Sequence, residues 1–165
     1  MATPDFIRDL RRSAGHQLLH LPGVSVVVFD DRGRVLLGRR ADTGRWAVIG
    51  GIPEPGEQPA DCAVREVREE TNVRCVAERL VGVYALDKPV TYPNGDICQF
   101  MDIVFRCRAT ARAAGAVRVN DEESLEVGWF GLDELPPMKE YAHFRIKQAS
   151  QEGPASFTAS PDAAG

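Results

Sequence analysis

Apolar and polar positions along this chain change period several times, and each change marks an element. Asp5 to Ala14 puts Phe6, Ile7 and Leu10 on one side of a helical projection, which predicts a short N-terminal helix. Val24 to Asp30 is dense in β-branched residues and predicts a buried strand. Asp30-Asp-Arg-Gly33 is turn chemistry and leads into a second strand, Arg34 to Arg40. Trp46-Ala-Val-Ile-Gly-Gly51 reads as a short apolar strand ending on two glycines, residues that allow close backbone approach. Ile52 to Pro59 is rich in proline and reads as a stiff loop. A helix then begins near Pro59, which suits a first-turn position, and runs to Glu70. Its Ala60, Ala63, Val64 and Val67 share one side and are expected to pack on a sheet. Asn72 is the expected stop, because Asn tolerates the left-handed conformation that helix ends use.

Downstream, Val73 to Leu86 is strand-like, and Tyr92-Pro-Asn-Gly-Asp96 carries an Asn-Gly hairpin signal before a long strand, Ile97 to Ala109. Ala111 to Asn120 reads as a loop or short pairing segment, and Leu125 to Phe130 as a strand. Leu132 to Leu135 suggests one helical turn and Lys139 to Ala149 a closing helix. Mixed strands with two or three helices predict an α/β (α+β) layered sandwich. The organisation expected is a helical extension over 1–20, one domain over 21–150 and a mobile tail over 151–165, rich in Pro, Ala, Ser and Gly.

The chemistry concentrates on the helix after Pro59. Glu66, Glu69 and Glu70 fall on one helical face, because offsets of three and four residues stack. Like charges at those offsets destabilise a helix by roughly 0.2–0.5 kcal/mol per pair. A bare acidic face is therefore explained by a cation seated on it, the alternative being a solvated surface. Hard divalent ions take carboxylate oxygens and bind jointly with substrate phosphates. The pattern points to a phosphate-handling metal enzyme.

Gly51, Glu57, Arg65, Glu66, Val67, Glu69, Glu70 and Val73 also stand in the order and spacing of the Nudix box, so the chain resembles a Nudix hydrolase of the MutT-like kind. Two positions depart from the box: Asn72 stands where the family has Gly, and Ile49 where Pro usually precedes the two glycines. Beyond the box the resemblance runs loosely from about His16 to about Lys147. It implies a Nudix-type α/β/α sandwich with a mixed β-sheet. It implies hydrolysis of a phosphoanhydride in a nucleoside diphosphate linked to another group. ADP-ribose or a nucleotide sugar comes first and a nucleoside triphosphate second. A non-catalytic nucleotide sensor of the same fold is the alternative. The implied cofactor is Mg2+, with Mn2+ as a substitute, on Glu66, Glu69 and Glu70.

Arg65 can orient a carboxylate by a two-pronged hydrogen bond, which makes Arg65, Glu66 and Glu69 catalytic candidates. Glu57 is a substrate-binding candidate and could join through a second metal or its waters. Glu122 and Glu123, in the acidic stretch Asn120 to Ser124, are candidates for a base or further ligand. Arg39 and Arg40 end a strand, where neighbours point opposite ways, so one of them should face the site. Alternation leaves open which; the resemblance favours Arg40 as the phosphate contact. Gly50 and Gly51 complete the substrate-binding candidates. Trp46, Tyr92 and Phe100 could stack on a base, whereas Trp129 reads as core.

Composition narrows the partners. Net charge is −4 with no basic run, which argues against a nucleic-acid groove. No apolar stretch is long enough to span a membrane, and the N-terminus lacks signal-peptide layout. Cys62, Cys75, Cys98 and Cys107 show no CxxC spacing and fit free thiols in a reducing cytoplasm. The expected partner is a small-molecule nucleotide, with a homodimer left open.

Overall fold

The computed structural model describes residues 3–110, 117–120 and 124–158. In chain order the elements are α1 (Asp5–Ala14), β1 (Leu19–Phe29), β2 (Val35–Arg40), β3 (Trp46–Ala47), β4 (Ile49–Gly51), α2 (Pro59–Thr71), β5 (Cys75–Ala85), β6 (Val90–Thr91), β7 (Ile97–Ala109), β8 (Ser124–Phe130), α3 (Glu140–Ser150) and β9 (Ser156–Phe157). The strands form one mixed sheet whose main path is β3-β2-β1-β7-β5-β9. β1 and β7 run parallel at its centre, in register from Leu19 opposite Cys98 to Phe29 opposite Arg108. β5 flanks β7 antiparallel, while β4 joins β1 and β8 joins β2, both antiparallel. Among the described residues no helix is long and apolar enough to cross a membrane.

The alternation of β1 builds both cores. Val24, Val26 and Val28 face α2, where they pack with Cys62, Ala63 and Val67. Val27 and Phe29 point the other way and pack with Ile146 and Ala149 of α3. A strand covered on both faces reads as a continuous apolar run, which is why Val24 to Phe29 is legible as strand. Ile7 anchors α1 against Leu21, Ile52 and Cys98.

Beyond a first strand that starts at Leu19 rather than Val24, the structure differs from the sequence expectations in three local ways. The Trp46 to Gly51 segment is two strands, because β3 pairs with β2 and β4 with β1. Leu132 to Leu135 is a turn rather than a helix, closed by the Glu134 N–H donating to the Gly131 carbonyl. The stretch read as a tail contributes β9, which runs parallel to the edge strand β5 and pairs Ser156 with Gly82. An open sheet edge offers unpaired backbone groups. Gly82 permits the approach, since a Cβ there would lie 2.5 Å from the Ser156 carbonyl oxygen.

Candidate active site

The helix that carries the carboxylates is fixed at both ends by local chemistry. Pro59 opens α2, and Asn72 closes it at φ 60 and ψ 7, the left-handed conformation expected from its side chain. Asn72 is the one non-glycine residue at positive φ among the described residues. The last carbonyls of α2 find donors in the segment that precedes β8. The Arg118 N–H donates to the Thr71 carbonyl at 3.1 Å and the Asn120 N–H to that of Glu70 at 3.2 Å. The Asn120 side-chain amide adds a bond to the Glu69 carbonyl at 3.1 Å. Sequence reading missed this clamp, because a contact across some fifty residues leaves no periodic signal.

Arg65 is the hub of the carboxylate cluster. Its Nε and Nη2 donate to the two oxygens of Glu57 at 2.7 and 2.8 Å, the two-pronged geometry that suits a guanidinium. Its Nη1 donates to Glu66 Oε1 at 2.9 Å and Glu69 Oε2 at 3.0 Å. The hydrogen bond to Glu57 and the Glu66 charge raise the pKa of Arg65, so it stays cationic. The same Arg65 bond holds Glu57 below the usual carboxylate range.

Glu66 is the buried member, 6% exposed. Burial pushes its pKa up, and the Arg65 charge only partly offsets this. Gly51 explains how the carboxylate is seated: a Cβ there would lie 2.0 Å from Glu66 Oε1. Gly50 is equally constrained, since its Cβ would meet the Val24 carbonyl oxygen at 2.6 Å. Cys62, which sequence spacing puts on the carboxylate stripe, is fully buried in the core, and burial raises its thiol pKa to about 12. It is a packing residue. All four cysteines are free and buried.

Arg39 and Arg40 separate as strand geometry requires. Arg39 donates to the Gly44 carbonyl and pairs with Glu126 at 3.7 Å. Arg40 lines a cleft of about 440 Å³ together with Gly50, Gly51 and the aromatic residues Trp46, Tyr92 and Phe100. It also borders a small recess shared with Glu70, Gly38 and Ser124. Asp42 holds its guanidinium, with Nε to Oδ1 at 2.9 Å. Trp129 packs against the core, as read from sequence. The candidates Glu122 and Glu123 lie outside the described residues.

Among the described residues, no three His, Cys, Asp or Glu side chains are arranged to hold a metal ion. Glu57, Glu66 and Glu69 are each paired with Arg65 instead. The donor set nevertheless fits a hard cation. It is all carboxylate oxygen, and the buried Glu66 charge is only partly compensated.

Over residues 19–150 the chain matches the family described as NUDIX domain. It is 38% identical over 117 residues to a MutT-like protein of Streptomyces ambofaciens, across 71% of this chain and 68% of that protein. It is 32% identical over 117 residues to the NAD-capped RNA hydrolase NudC of Pseudomonas putida strain W619. That match takes in 69% of this chain but 38% of NudC, so the chain spans well under half of that relative. The crystal structure of an ADP-ribose pyrophosphatase from Streptococcus suis 89-1591 is similar in fold, with a TM-score of 0.60 at 24% identity over 86% of this chain and 96% of that one.

Proposed function

The chain belongs to the Nudix hydrolase family, and on that premise we propose that it hydrolyses the phosphoanhydride of a nucleoside diphosphate linked to another group, with Mg2+ as cofactor. The observation that carries this reading is the Arg65 hub. One guanidinium gathers Glu57, Glu66 and Glu69, and Glu66 is seated against Gly51, which itself lines the cleft. In the hydrolysis the water oxygen bonds to one phosphorus and the bridging P–O bond breaks. The two water protons pass to the phosphate products or to solvent.

The residues of this chain divide that work. Glu66, Glu69 and Glu70 would hold Mg2+, which when bound neutralises phosphate charge and acidifies water. Arg65 holds Glu57, Glu66 and Glu69 in place. Arg40 is the phosphate contact at the cleft, and Gly50 and Gly51 let the strand approach the site closely. Glu69, or Glu122 and Glu123 of the acidic stretch Asn120 to Ser124, supplies the base.

ADP-ribose or a nucleotide sugar is the favoured substrate and a nucleoside triphosphate the second. The aromatic side chains and the cleft volume support a nucleoside-bearing ligand. The buried free thiols fit a reducing, cytoplasmic setting. A panel of ADP-ribose, nucleotide sugars and nucleoside triphosphates, read by phosphate or nucleotide release with and without Mg2+, tests the proposal. Metal-dependent turnover of a nucleoside diphosphate derivative is expected. Nucleotide binding without turnover of any member would instead identify a sensor.

A further inference from the structure

The cleft holds a buried charged pair that the hydrolytic chemistry does not use. Asp102 of β7 and Arg145 of α3 are each 4% exposed, and both line the cleft. Arg145 Nε donates to Asp102 Oδ2 at 2.6 Å, and Nη2 lies 2.5 Å from the same oxygen. The other oxygen, Oδ1, accepts the Ser25 hydroxyl at 2.7 Å. Arg145 Nη1 is buried with no hydrogen-bond partner among the described residues. Buried polar groups are almost always paired, and an orphan cationic donor is especially unfavourable. The pattern calls for an acceptor that arrives from outside. The Tyr141 ring lies over the same guanidinium at 4.4 Å and is itself 42% exposed, so this part of the cover is a surface side chain.

We propose that Arg145 selects the nucleobase: its Nη1 donates to a ring nitrogen or ring carbonyl of a base held in this cleft, while Asp102 and Ser25 fix the guanidinium. Charge decides for a base over a phosphate. Asp102 already neutralises Arg145, so a phosphate here would set its negative charge against a buried carboxylate. A neutral planar acceptor adds no charge and finds Tyr92, Phe100 and Tyr141 to stack on. The inference rests on the nucleotide reading of the cleft and deepens it by assigning the residue that reads the base.

Binding without metal tests it. Trp46 lines the cleft, so its fluorescence reports occupancy. The probes are AMP, GMP, CMP and UMP, with ribose 5-phosphate as the control that lacks a base. At least one nucleotide should bind about tenfold more tightly than ribose 5-phosphate. Arg145→Lys keeps a cation for Asp102 but lacks the second prong. It should erase that preference and leave ribose 5-phosphate binding unchanged. If this variant misfolds, the double variant Arg145→Met, Asp102→Leu replaces the pair with apolar volume, and the same loss of preference is expected. Three results would overturn the assignment: no preference in the wild type, a preference retained in the variant, or equal loss for both ligands. Failure of the hydrolase reading would show separately, as absent Mg2+-dependent turnover while base preference persists.

Discussion

Gly51→Ala is the substitution that interrogates the carboxylate cluster most sharply. The added Cβ would stand 2.0 Å from Glu66 Oε1, 2.1 Å from Cδ and 2.4 Å from Cγ, against the roughly 3.4 Å at which ordinary contact begins. The carboxylate must therefore retreat by about 1.4 Å. It cannot do so freely, because it is buried and bonded to Arg65. Overpacking of this kind costs about 1–3 kcal/mol. For a chain of this length that is a drop in Tm of roughly 2–12 °C. Misplacement of a site group by about 1 Å costs on the order of 100-fold in rate. The assay is a Mg2+ titration of the initial hydrolysis rate beside a thermal unfolding curve. The expected outcome is a kcat lower by ~100-fold and a higher Mg2+ requirement in a protein that still folds. Wild-type kcat and an unchanged half-maximal Mg2+ concentration would refute the claim that Gly51 seats a working carboxylate.

Asn72→Gly should keep activity with a stability change within about 1 kcal/mol, whereas Asn72→Val should lose stability and need more Mg2+ for half-maximal rate, because a β-branched residue resists positive φ. Chemical denaturation with a Mg2+ titration reads both effects. Arg65→Lys keeps the charge but loses the fork that grips Glu57, and kcat should fall by roughly tenfold or more in steady-state kinetics. Asp30 gives a prediction in acid: burial raises its pKa, but hydrogen bonds from Arg34 and Arg32 outweigh this and carry it below its ordinary 3.8. Its stabilisation is thus present above the unfolded value and is lost as pH falls through the lower folded one. Asp30→Asn should destabilise by about 1.5–3 kcal/mol at pH 7, with the gap from wild type closing in strong acid, as followed by urea unfolding across pH.

What was legible in the sequence was what local chemistry determines. Pro59 and Asn72 bracket α2 by their own backbone preferences, so its limits and its left-handed end could be read from single residues. The valines of β1 announced a strand covered on both faces. The arginine hub was half legible: Arg65 was expected to grip one carboxylate, and it gathers three. What stayed hidden depends on distant segments meeting. The Asn120 clamp on α2, the seat of Glu66 against Gly51 and the Ser25–Asp102–Arg145 chain join positions from different elements. None of them shows in periodicity, since each partner alone looks like an ordinary polar or small residue. β9 was hidden for a related reason: a two-residue strand has too little pattern to read until the open edge of β5 is known.

The central claim is that the acidic face of α2 is a cation-dependent hydrolytic centre. Glu70→Gln tests it most directly, because it removes one negative charge at nearly constant volume. With the best substrate of the panel and saturating Mg2+, kcat should fall by at least ~100-fold, the scale expected when transition-state electrostatics are lost. Circular dichroism should be unchanged. Near-normal turnover by Glu70→Gln, on a substrate that the wild type clearly hydrolyses, would contradict the account.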